Sequence, residues 1–441
     1  MKPKDIRRTL QNEILNLNVA DWVKNPEKDF TRNRKLDFQT TINLILSFEG
    51  RTMRNELISY FPQASHTPSQ SAVVQQRYKL KENLFEMLFR SFTNNMPRNK
   101  SESLLKGFRL LAADGSTVQV PIDESQEESF CRGNVGQKPY NLVHLNALYD
   151  LENHVYEDAI ITGYHKKGEC VSLVEMVDRS PIEKALVIAD RGYESYNVMA
   201  HIIEKGWFFA IRVKDAKSSG IVSSFDLPQS NAFDVPVTLN LTRKQTKKAK
   251  RLYSDSNYYR YLSHTSPFDY LPKHTRKEDP YIFYKLSFRI VRFPIADGVY
   301  ETIVTNVPSD ILPMDKLKKI YALRWGIETS FRSLKYTVGL MSFHSKKAEF
   351  IYQEIFARLI IYNFTALITA QIVIRNTDRK HSYQVNFSVA VYVCRQFFRG
   401  GISPPNLEAQ IARNIVPIRP NRHNKRNMPD APKLNFKYRV A

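Results

Sequence analysis

A series of short apolar runs separated by helical stretches constrains the fold of this chain more than any other feature. The stretches between the later runs, 171–177 and 196–204, have helical spacing. The runs themselves predict strands at 108–114, 144–150, 155–163, 185–190 and 207–213. Strands and helices in this order predict an α/β protein with a mixed sheet covered by helices.

Two of these predicted strands end in an aspartate that is followed by a glycine-containing turn. The runs are LLAADGS, which contains Asp114, and LVIADRGY, which contains Asp190. Open α/β sheets usually place their ligand sites at strand ends of this kind. A single aspartate in such a place more commonly caps a turn or a helix, so neither residue identifies a site alone.

The segment 315–339 predicts one amphipathic helix, bounded by Pro313 and Gly339. At about 100° per residue its polar side chains share an arc of roughly 60°. They are Tyr321, Arg324, Glu328 and Lys335. The apolar side chains form a separate face suited to docking on a sheet. One acid among such residues fits a metal ligand beside phosphate-binding groups or, more commonly, a solvated face with an ion pair.

The three acids Asp114, Asp190 and Glu328 are candidate ligands for divalent ions. Carboxylates that converge raise one another's pKa unless a cation neutralises them. Oxygen ligands without histidine or cysteine favour Mg²⁺ or Mn²⁺ over zinc. Two such ions about 3.5–4 Å apart would support in-line phosphoryl transfer.

The charge of the chain points to a polyanionic partner. The net charge is +21 over 441 residues, which favours nucleic acid. No apolar run is long enough to span a membrane, and the basic N-terminus lacks an apolar core, so we expect a cytoplasmic protein. Cys131, Cys170 and Cys394 are far apart in sequence and are expected to be packing residues.

Residues 215–299 interrupt the α/β pattern with a basic and tyrosine-rich stretch. Lys244, Lys247 and Lys248 lie in the run RKQTKKAKR, and the alternation at 281–293 predicts β structure. Such residues fit either a solvated surface with cross-strand packing or a groove for a phosphate backbone and unstacked bases.

Helical segments flank this region on both sides. Residues 1–106 predict a helical domain that binds DNA ends, and Ser69 or Ser71 would cap a helix reaching to residue 92. That helix would expose side chains able to read a major groove or to form an ordinary surface: Gln75, Gln76, Arg77 and Lys79. Residues 346–412, with helices at 351–374 and 386–398, would form a C-terminal region for dimerisation, followed by a basic tail at 413–441.

The spacing of the polar helix residues, Y-x2-R-x3-E-x6-K, resembles the signature of a known enzyme family. It is similar to the cut-and-paste bacterial DDE transposases of the family named after insertion sequence number four. Asp114 in AADGSTV and Asp190 in IADRGY match that family's two aspartates. The resemblance covers residues 108–375 or thereabouts.

The resemblance implies a ribonuclease H-like catalytic domain at 107–345, interrupted by a β-rich insertion subdomain at 215–299. Asp114, Asp190 and Glu328 would be catalytic and would hold two Mg²⁺ ions, for which Mn²⁺ can substitute. The enzyme would nick an inverted-repeat end, form and reopen a hairpin, and join the freed 3′-hydroxyl to target DNA. It would act as a homodimer in a bacterial cytoplasm, close to the nucleoid.

Several residues would contact DNA in this scheme. The resemblance assigns phosphates to Tyr321, Arg324 and Lys335, and we expect further contacts from Arg191, Lys244, Lys247 and Lys248. Some relatives stack a tryptophan of the insertion on a flipped base, but the tryptophans here are Trp22, Trp207 and Trp325. A tyrosine or phenylalanine between 253 and 293 would have to replace it. The alternatives are a nuclease of the same fold that does not join strands and a transposase-derived protein that only binds DNA.

Overall fold

The computed structural model describes residues 2–96, 98, 104–105, 107–133, 138–166, 168–215, 220–276, 278, 282–374 and 382–418. The α-helices are α1 (Pro3–Leu15), α2 (Val19–Trp22), α3 (Phe38–Leu46), α4 (Met53–Tyr60), α5 (Gln70–Lys79), α6 (Leu84–Asn95), α7 (Glu169–Arg179), α8 (Tyr196–Glu204), α9 (Lys247–Leu252), α10 (Met314–Ala322), α11 (Trp325–Tyr336), α12 (Ala348–Thr369), α13 (Phe387–Phe398) and α14 (Pro404–Arg413). The strands are β1 (Arg109–Val120), β2 (Phe130–Cys131), β3 (Tyr140–Asp150), β4 (Val155–Gly163), β5 (Ala185–Ala189), β6 (Phe208–Val213), β7 (Phe233–Thr242), β8 (Tyr259–Tyr261), β9 (Tyr284–Ala296), β10 (Val299–Thr305), β11 (Tyr383–Val385) and β12 (Ile415–Pro417).

A large mixed sheet forms the centre of the fold, as the sequence predicts. Its strand order is β2-β3-β1-β5-β6-β10-β9-β7-β8, with β4 paired to β3. Strand β1 is antiparallel to β3 and parallel to β5, which is parallel to β6. The predicted strands at 155–163 and the helix at 196–204 have the observed bounds of β4 and α8.

The strands of the predicted insertion extend this same sheet instead of forming a separate one. Strand β10 pairs with β6 on one side and with β9 on the other, and β7 pairs with β9. The hairpin between β9 and β10 turns at Asp297-Gly298, where Gly298 has φ +70°. An Asp-Gly pair favours a tight hairpin because glycine adopts positive φ without strain. The β9–β10 hairpin therefore continues the sheet outward from β6.

Each face of the sheet is covered by helices. Leu110 and Ala112 of β1 join a core that also contains residues of α11, α12 and α13 and of the N-terminal helices. Leu111 and Ala113 face the opposite core, beneath α7 and α8. The helical segments at the two ends of the chain thus share one core, and α12 is the buried helix at its centre.

The predicted helix at 71–92 is broken in the structure. Ser69 caps its first part, because the Ser69 hydroxyl accepts a hydrogen bond from the Ala72 N–H at 3.2 Å. The chain then becomes extended at Leu80, which forms an isolated antiparallel bridge with Val23, and α6 begins at Leu84. A contact distant in sequence therefore overrides the helical periodicity.

The predicted exposure of Gln76 and Arg77 is wrong. Gln76 is buried, and Arg77 donates to the carboxylate of Glu354 on α12 at 2.9 Å. These two side chains cannot read a DNA groove while they are packed in this way. Gln75 is exposed, as the sequence predicts, and Lys79 is partly exposed.

Among the described residues, no helix is long and apolar enough to cross a membrane. Cys131 and Cys394 are buried, and Cys170 is partly exposed; none of the three forms a disulfide within the described part of the chain. The basic tail falls outside the described residues from 419 onward.

Candidate active site

The register between β1 and β5 places the two aspartates side by side. The last parallel pair is Ala113 with Ala189, so Asp114 and Asp190 follow directly on neighbouring strands. Strand β1 does not end at Asp114 as expected, because β3 continues to pair with it as far as Val120. The parallel pairing, and not the strand itself, ends at the acid.

Backbone N–H groups hold both aspartates. The Asp114 Oδ1 atom accepts from the N–H of Gly115, and the Asp190 Oδ1 atom accepts from the N–H of Gly192, each at 2.8 Å. Asp190 thereby caps the short turn Arg191–Tyr193, in which Arg191 is exposed. This capping role is the ordinary one for a turn aspartate, and it also fixes the direction of each carboxylate.

The segment predicted as one helix at 315–339 is two helices. Helix α10 ends at Ala322 and α11 begins at Trp325, with Leu323 and Arg324 between them. Both linking residues keep helical dihedral angles, but their hydrogen bonds are of the i to i−3 kind, from Arg324 N–H to Tyr321 O at 3.0 Å and from Gly326 N–H to Leu323 O at 2.8 Å. A tightened turn of this type rotates the residues that follow it. The single polar stripe is therefore divided between two helices.

Helix α11 brings Glu328 to the sheet. Its residues Ile327 and Phe331 are buried, and it packs against β1. The Ser330 hydroxyl lies 2.9 Å from the hydroxyl of Tyr156 on β4, which ties the helix to the strands below it. The apolar face predicted from the sequence thus docks α11 over β1, the strand that carries Asp114.

Arg324 pairs with Glu328 in this structure. The Arg324 Nη2 atom lies 3.0 Å from Glu328 Oε1, and the side chains are 7% and 25% exposed respectively. The guanidinium also lies over the ring of the exposed Trp325, 5.1 Å from its centroid. Arg324 is therefore placed to control where the Glu328 carboxylate points.

The pKa of Asp114 depends on its burial and on the two other acids. Burial raises the pKa of Asp114 to about 6. The Asp190 and Glu328 charges act in the same direction, whereas the Gly115 N–H and Arg324 oppose them. A buried aspartate whose pKa is raised further by neighbouring carboxylates is typical of a site that a cation can neutralise.

Tyr321 and Lys335 contact the strands that carry the acids. Tyr321 is buried, and its hydroxyl donates to the carbonyl of Ala189 at 3.4 Å, next to Asp190. Lys335 is partly buried, which lowers its pKa, and its Nζ donates to the carbonyl of Thr117 on β1 at 2.7 Å. Neither side chain is fully exposed in this structure, and the phosphate contacts of Tyr321 and Lys335 stay a prediction.

The basic residues of the 243–251 run differ in exposure. Lys247 and Lys248 are exposed on α9, while Lys244 is buried and donates to the carbonyl of Arg276 at 2.5 Å. A cleft of about 650 Å³ opens beside them, and the basic residues lining it are Arg243, Lys244, Lys247, His264, Lys273, His274 and Arg276. The exposed lysines suit contact with a phosphate backbone, and the burial of Lys244 does not.

The carboxylates of Asp114, Asp190 and Glu328 are the type of ligand that a divalent ion prefers. Among the described residues, no group of three or more His, Cys, Asp or Glu side chains is placed to hold a metal ion as the structure stands. Glu328 is engaged by Arg324, so it would have to turn toward the aspartates to join them. The three carboxylates supply the hard ligands that Mg²⁺ or Mn²⁺ requires, and no soft ligand is needed.

Two residues near the acids were not predicted as site residues. A Cβ atom on Gly115 would meet Glu169 Oε1 at 2.9 Å and Asn146 Oδ1 at 3.1 Å, so both side chains lie against the turn after Asp114. Asn146 could have been noticed as a polar residue inside the apolar run HLNALYD. Its closeness to β1 depends on the pairing of Gly115 with Asn146, which the run itself does not specify.

Comparison with known proteins identifies a family. The family model described as "Transposase DDE domain" matches residues 106–364. Among solved structures, the chain is similar to the cryo-EM structure of a piggyBac transposase synaptic complex with hairpin DNA, with 8% sequence identity and a TM-score of 0.44. That match covers 92% of this chain and 81% of the other. No curated protein matches the chain.

Proposed function

This chain belongs to the family of the transposase DDE domain, and from that premise we propose that it is the transposase of a bacterial insertion sequence. In this proposal it binds the inverted-repeat ends, cleaves them by metal-dependent phosphoryl transfer and joins the 3′-hydroxyl ends to target DNA. Cleavage passes through a hairpin, and the active form is a homodimer in the cytoplasm, near the nucleoid.

One observation carries the proposal. Asp114 and Asp190 follow the last pair of two parallel strands, and α11 docks over the first of them, β1, with Glu328 in its first turn. Residues that are distant in sequence thus place their carboxylates within electrostatic reach of one another. A protein that only bound DNA would gain nothing from this costly arrangement of like charges.

Asp114, Asp190 and Glu328 are the residues that would hold two Mg²⁺ ions, with Mn²⁺ as a substitute. Bound ions of this kind activate a water or a 3′-hydroxyl and stabilise the leaving oxygen. The protein's own contribution is to direct the ligands. Gly115 and Gly192 orient the aspartates, and Arg324 holds Glu328 until the site is assembled.

The proposed DNA contacts follow from exposure. Arg191 is exposed beside Asp190, and Lys247 and Lys248 are exposed beside the basic cleft. We assign Arg191 to the DNA near the cleaved bond and the two lysines to the backbone farther along the duplex. Tyr321 and Lys244 support the strands from within, and Arg324 and Lys335 reach phosphates only after leaving their present partners.

The test is a cleavage assay with Glu328→Gln. Labelled duplex carrying the inverted-repeat end is incubated with Mg²⁺ and either wild-type protein, Glu328→Gln or Glu408→Gln, which alters an exposed acid on α14. We expect the wild type and Glu408→Gln to nick and then join strands. Glu328→Gln should bind the duplex within about twofold of wild type and leave it uncut, because a glutamine keeps the shape but not the charge.

Each other outcome has a defined meaning. Cleavage that survives Glu328→Gln would sink the assignment of the three acids. Wild-type products that are cut but never joined would identify a nuclease. Binding of end DNA by the wild type without any cleavage in Mg²⁺ or Mn²⁺ would identify a DNA-binding protein without catalysis.

A further inference from the structure

A pocket of about 390 Å³ lies between strands β3 and β4 and the start of α7. Three residues of its lining bring side-chain oxygen atoms to it: Asn146 on β3, Thr162 on β4 and Glu169, the first residue of α7. At about 30 Å³ for each water, this volume has room for roughly a dozen waters. The pocket is therefore large enough for a small ligand that keeps its hydration shell.

The pocket contains polar atoms that the folded chain leaves without a partner. Asn146 is 1% exposed, and neither its Oδ1 nor its Nδ2 atom has a hydrogen-bond partner within the described part of the chain. The buried Oγ1 atom of Thr162 has none either. Buried polar side chains are nearly always paired in native proteins, so these atoms need an explanation. A ligand in the pocket, together with the water it carries, would supply one.

The Glu169 carboxylate lies at the same place. A Cβ atom on Gly115 would meet Glu169 Oε1 at 2.9 Å and Asn146 Oδ1 at 3.1 Å, and one on Gly192 would meet Glu169 Oε2 at 3.1 Å. No hydrogen bond or ion pair joins this carboxylate to another residue that the structure describes. The first turn of a helix favours a negative charge, which accounts for the acid. It does not account for the unpaired amide beside it.

Negative charge accumulates around the pocket. Burial raises the pKa of Tyr193 well above its ordinary value, and Glu169, Asp114 and Asp190 raise it further. Three carboxylates therefore act on one buried phenol. No lysine or arginine is among the described residues that line the pocket. This distribution of charge favours a cation in the pocket and opposes a phosphate.

The available ligand atoms favour a hard cation. His144 and Cys170 also line the pocket, but no three His, Cys, Asp or Glu side chains of the described chain are placed to hold a metal together. The Cys170 thiol donates to the carbonyl of Gly192 at 3.3 Å. The remaining ligands are carboxylate, amide and hydroxyl oxygens. Mg²⁺ binds to proteins through one or two carboxylates and keeps several of its waters, and Mn²⁺ also suits oxygen ligands.

We propose that this pocket binds a hydrated divalent cation, Mg²⁺ or Mn²⁺, through the Glu169 carboxylate and the side-chain oxygens of Asn146 and Thr162. The cation is additional to the ions assigned to the three acids. It joins β3, β4 and α7 next to Gly115 and Gly192, whose N–H groups orient the two aspartates. The inference does not depend on the proposed function.

The experiment counts Mn²⁺ ions in a protein whose three acids have been neutralised. The background is the full chain with Asp114→Asn, Asp190→Asn and Glu328→Gln, which removes the charged ligands of the cleavage site and keeps their shapes. The EPR signal of free Mn²⁺ measures binding, and Mg²⁺ is added as a competitor. Any ion that remains bound is held outside the three acids.

To this background we add Glu169→Gln, Asn146→Leu or, as the matched control, Glu175→Gln. Glu175 is an acid on the same helix with a side chain that is 57% exposed. We expect the background to bind one Mn²⁺ with a dissociation constant on the order of 10⁻⁴–10⁻³ M, as the weakest oxygen-ligand sites do. Glu169→Gln and Asn146→Leu should each weaken this binding by about tenfold or more. Glu175→Gln should leave it unchanged.

Thermal unfolding of the same proteins checks that they fold. Without metal, Asn146→Leu should melt no lower than the background, because leucine is close in size to asparagine and removes an unpaired amide. Mg²⁺ should raise the melting temperature of the background and of Glu175→Gln, since a ligand that binds only the folded state stabilises it. It should not raise that of Asn146→Leu. If Glu169→Gln does not fold, Asn146→Leu decides the test.

Two results would overturn the proposal. One is a folded background protein that binds no Mn²⁺, and the other is binding that persists unchanged in the folded Glu169→Gln and Asn146→Leu variants. In either case water alone fills the pocket. None of these measurements uses DNA or cleavage, so failure of the transposase assignment in the Glu328→Gln assay leaves this result intact, and the reverse also holds.

Discussion

At the scale of residues, Lys335 has two possible roles that the sequence could not separate: a structural contact with β1 and a contact with a DNA phosphate. Its Nζ lies on the carbonyl of Thr117, on the part of β1 that extends beyond the parallel pairing with β5. Partial burial disfavours its charge, and a phosphate in place of the carbonyl would restore a charged partner. Lys335 therefore binds the backbone of β1 in the free protein and is a candidate phosphate ligand in the complex with DNA.

We expect Lys335→Ala to weaken binding of end DNA and to lower the slope of log K against log salt concentration by about one, because one phosphate contact is lost. Lys205→Ala is the matched control, since the Lys205 Nζ also donates to a backbone carbonyl, that of Asp178 at 2.9 Å. The measurement is a salt titration of binding affinity. An unchanged slope in Lys335→Ala would leave the residue with only its structural contact.

At the scale of elements, helix α11 connects packing to chemistry. Ile327 and Phe331 are buried under the helix, whereas Glu328 lies beside them and remains partly exposed. Gly326 allows the start of the helix to approach the turn that follows β3, because a Cβ atom there would meet Leu151 Cδ2 at 3.0 Å. The position of Glu328 therefore depends on how closely α11 sits on the strands.

Ile327→Ala should lower the free energy of unfolding by about 2–5 kcal/mol, because it leaves a cavity under the helix. Cleavage should also fall well below the wild-type rate at temperatures where the variant is fully folded, since α11 and Glu328 can shift. Thr329→Ala, on the exposed side of the same helix, should change stability by no more than about 0.5 kcal/mol. Urea unfolding and a cleavage assay measure the two effects. If Ile327→Ala is destabilised but cleaves at the wild-type rate, the position of Glu328 does not depend on the packing of Ile327.

At the scale of the whole molecule, a buried network of charges joins the two ends of the chain. Arg77 of α5 and His344 both contact the Glu354 carboxylate on α12, at 2.9 and 3.0 Å. Although burial acts against the charge of Glu354, His344 and Arg77 lower its pKa to about 2. Burial alone would lower the pKa of His344, but Glu354 and Glu56 raise it to about 9. The N-terminal helices are therefore part of the same folded unit as α12.

This network predicts how stability depends on pH. The pKa of His344 is raised from 6.5, so its stabilisation is complete below pH 6.5 and is lost as pH rises through about 9. The pKa of Glu354 is lowered from 4.5, so its contribution is present above pH 4.5 and is lost as pH falls toward 2. His344→Gln should cost about 3–5 kcal/mol between these limits, because a buried pair is broken.

The check is urea unfolding of wild type and His344→Gln at a series of pH values. The difference between the two should be largest at pH 4.5–6.5 and should shrink above pH 9. His66→Gln changes an exposed histidine and should follow the wild type throughout. A difference that grows as pH rises would contradict the charged state of His344.

The alternation of strands and helices, the strand end before Asp190 and the apolar face of the helix with Glu328 were predictable from the sequence, whereas the strand end predicted at Asp114 was wrong because β1 continues to Val120. These features depend on local spacing: period two in strands, the helical repeat and the turn residues that follow. The family signature is equally local. The mixed sheet and the membership of the DDE transposase family are confirmed on this basis.

Tertiary contacts decided the remainder. The pairing of Ala113 with Ala189 brings the aspartates together, and Leu80 leaves its helix to bridge Val23. The sequence around Arg77 predicts a surface residue, but in the folded protein Arg77 is buried because it pairs with Glu354 of α12, which is distant in sequence. Register, burial and partners of this kind arise from contacts between distant segments, whose free energies outweigh local preferences of a fraction of a kcal/mol per residue, about 0.7 at most for ordinary residues. For the same reason only the folded structure shows that the Asn146 amide is buried without a hydrogen-bond partner among the described residues and lies against the turn after Asp114.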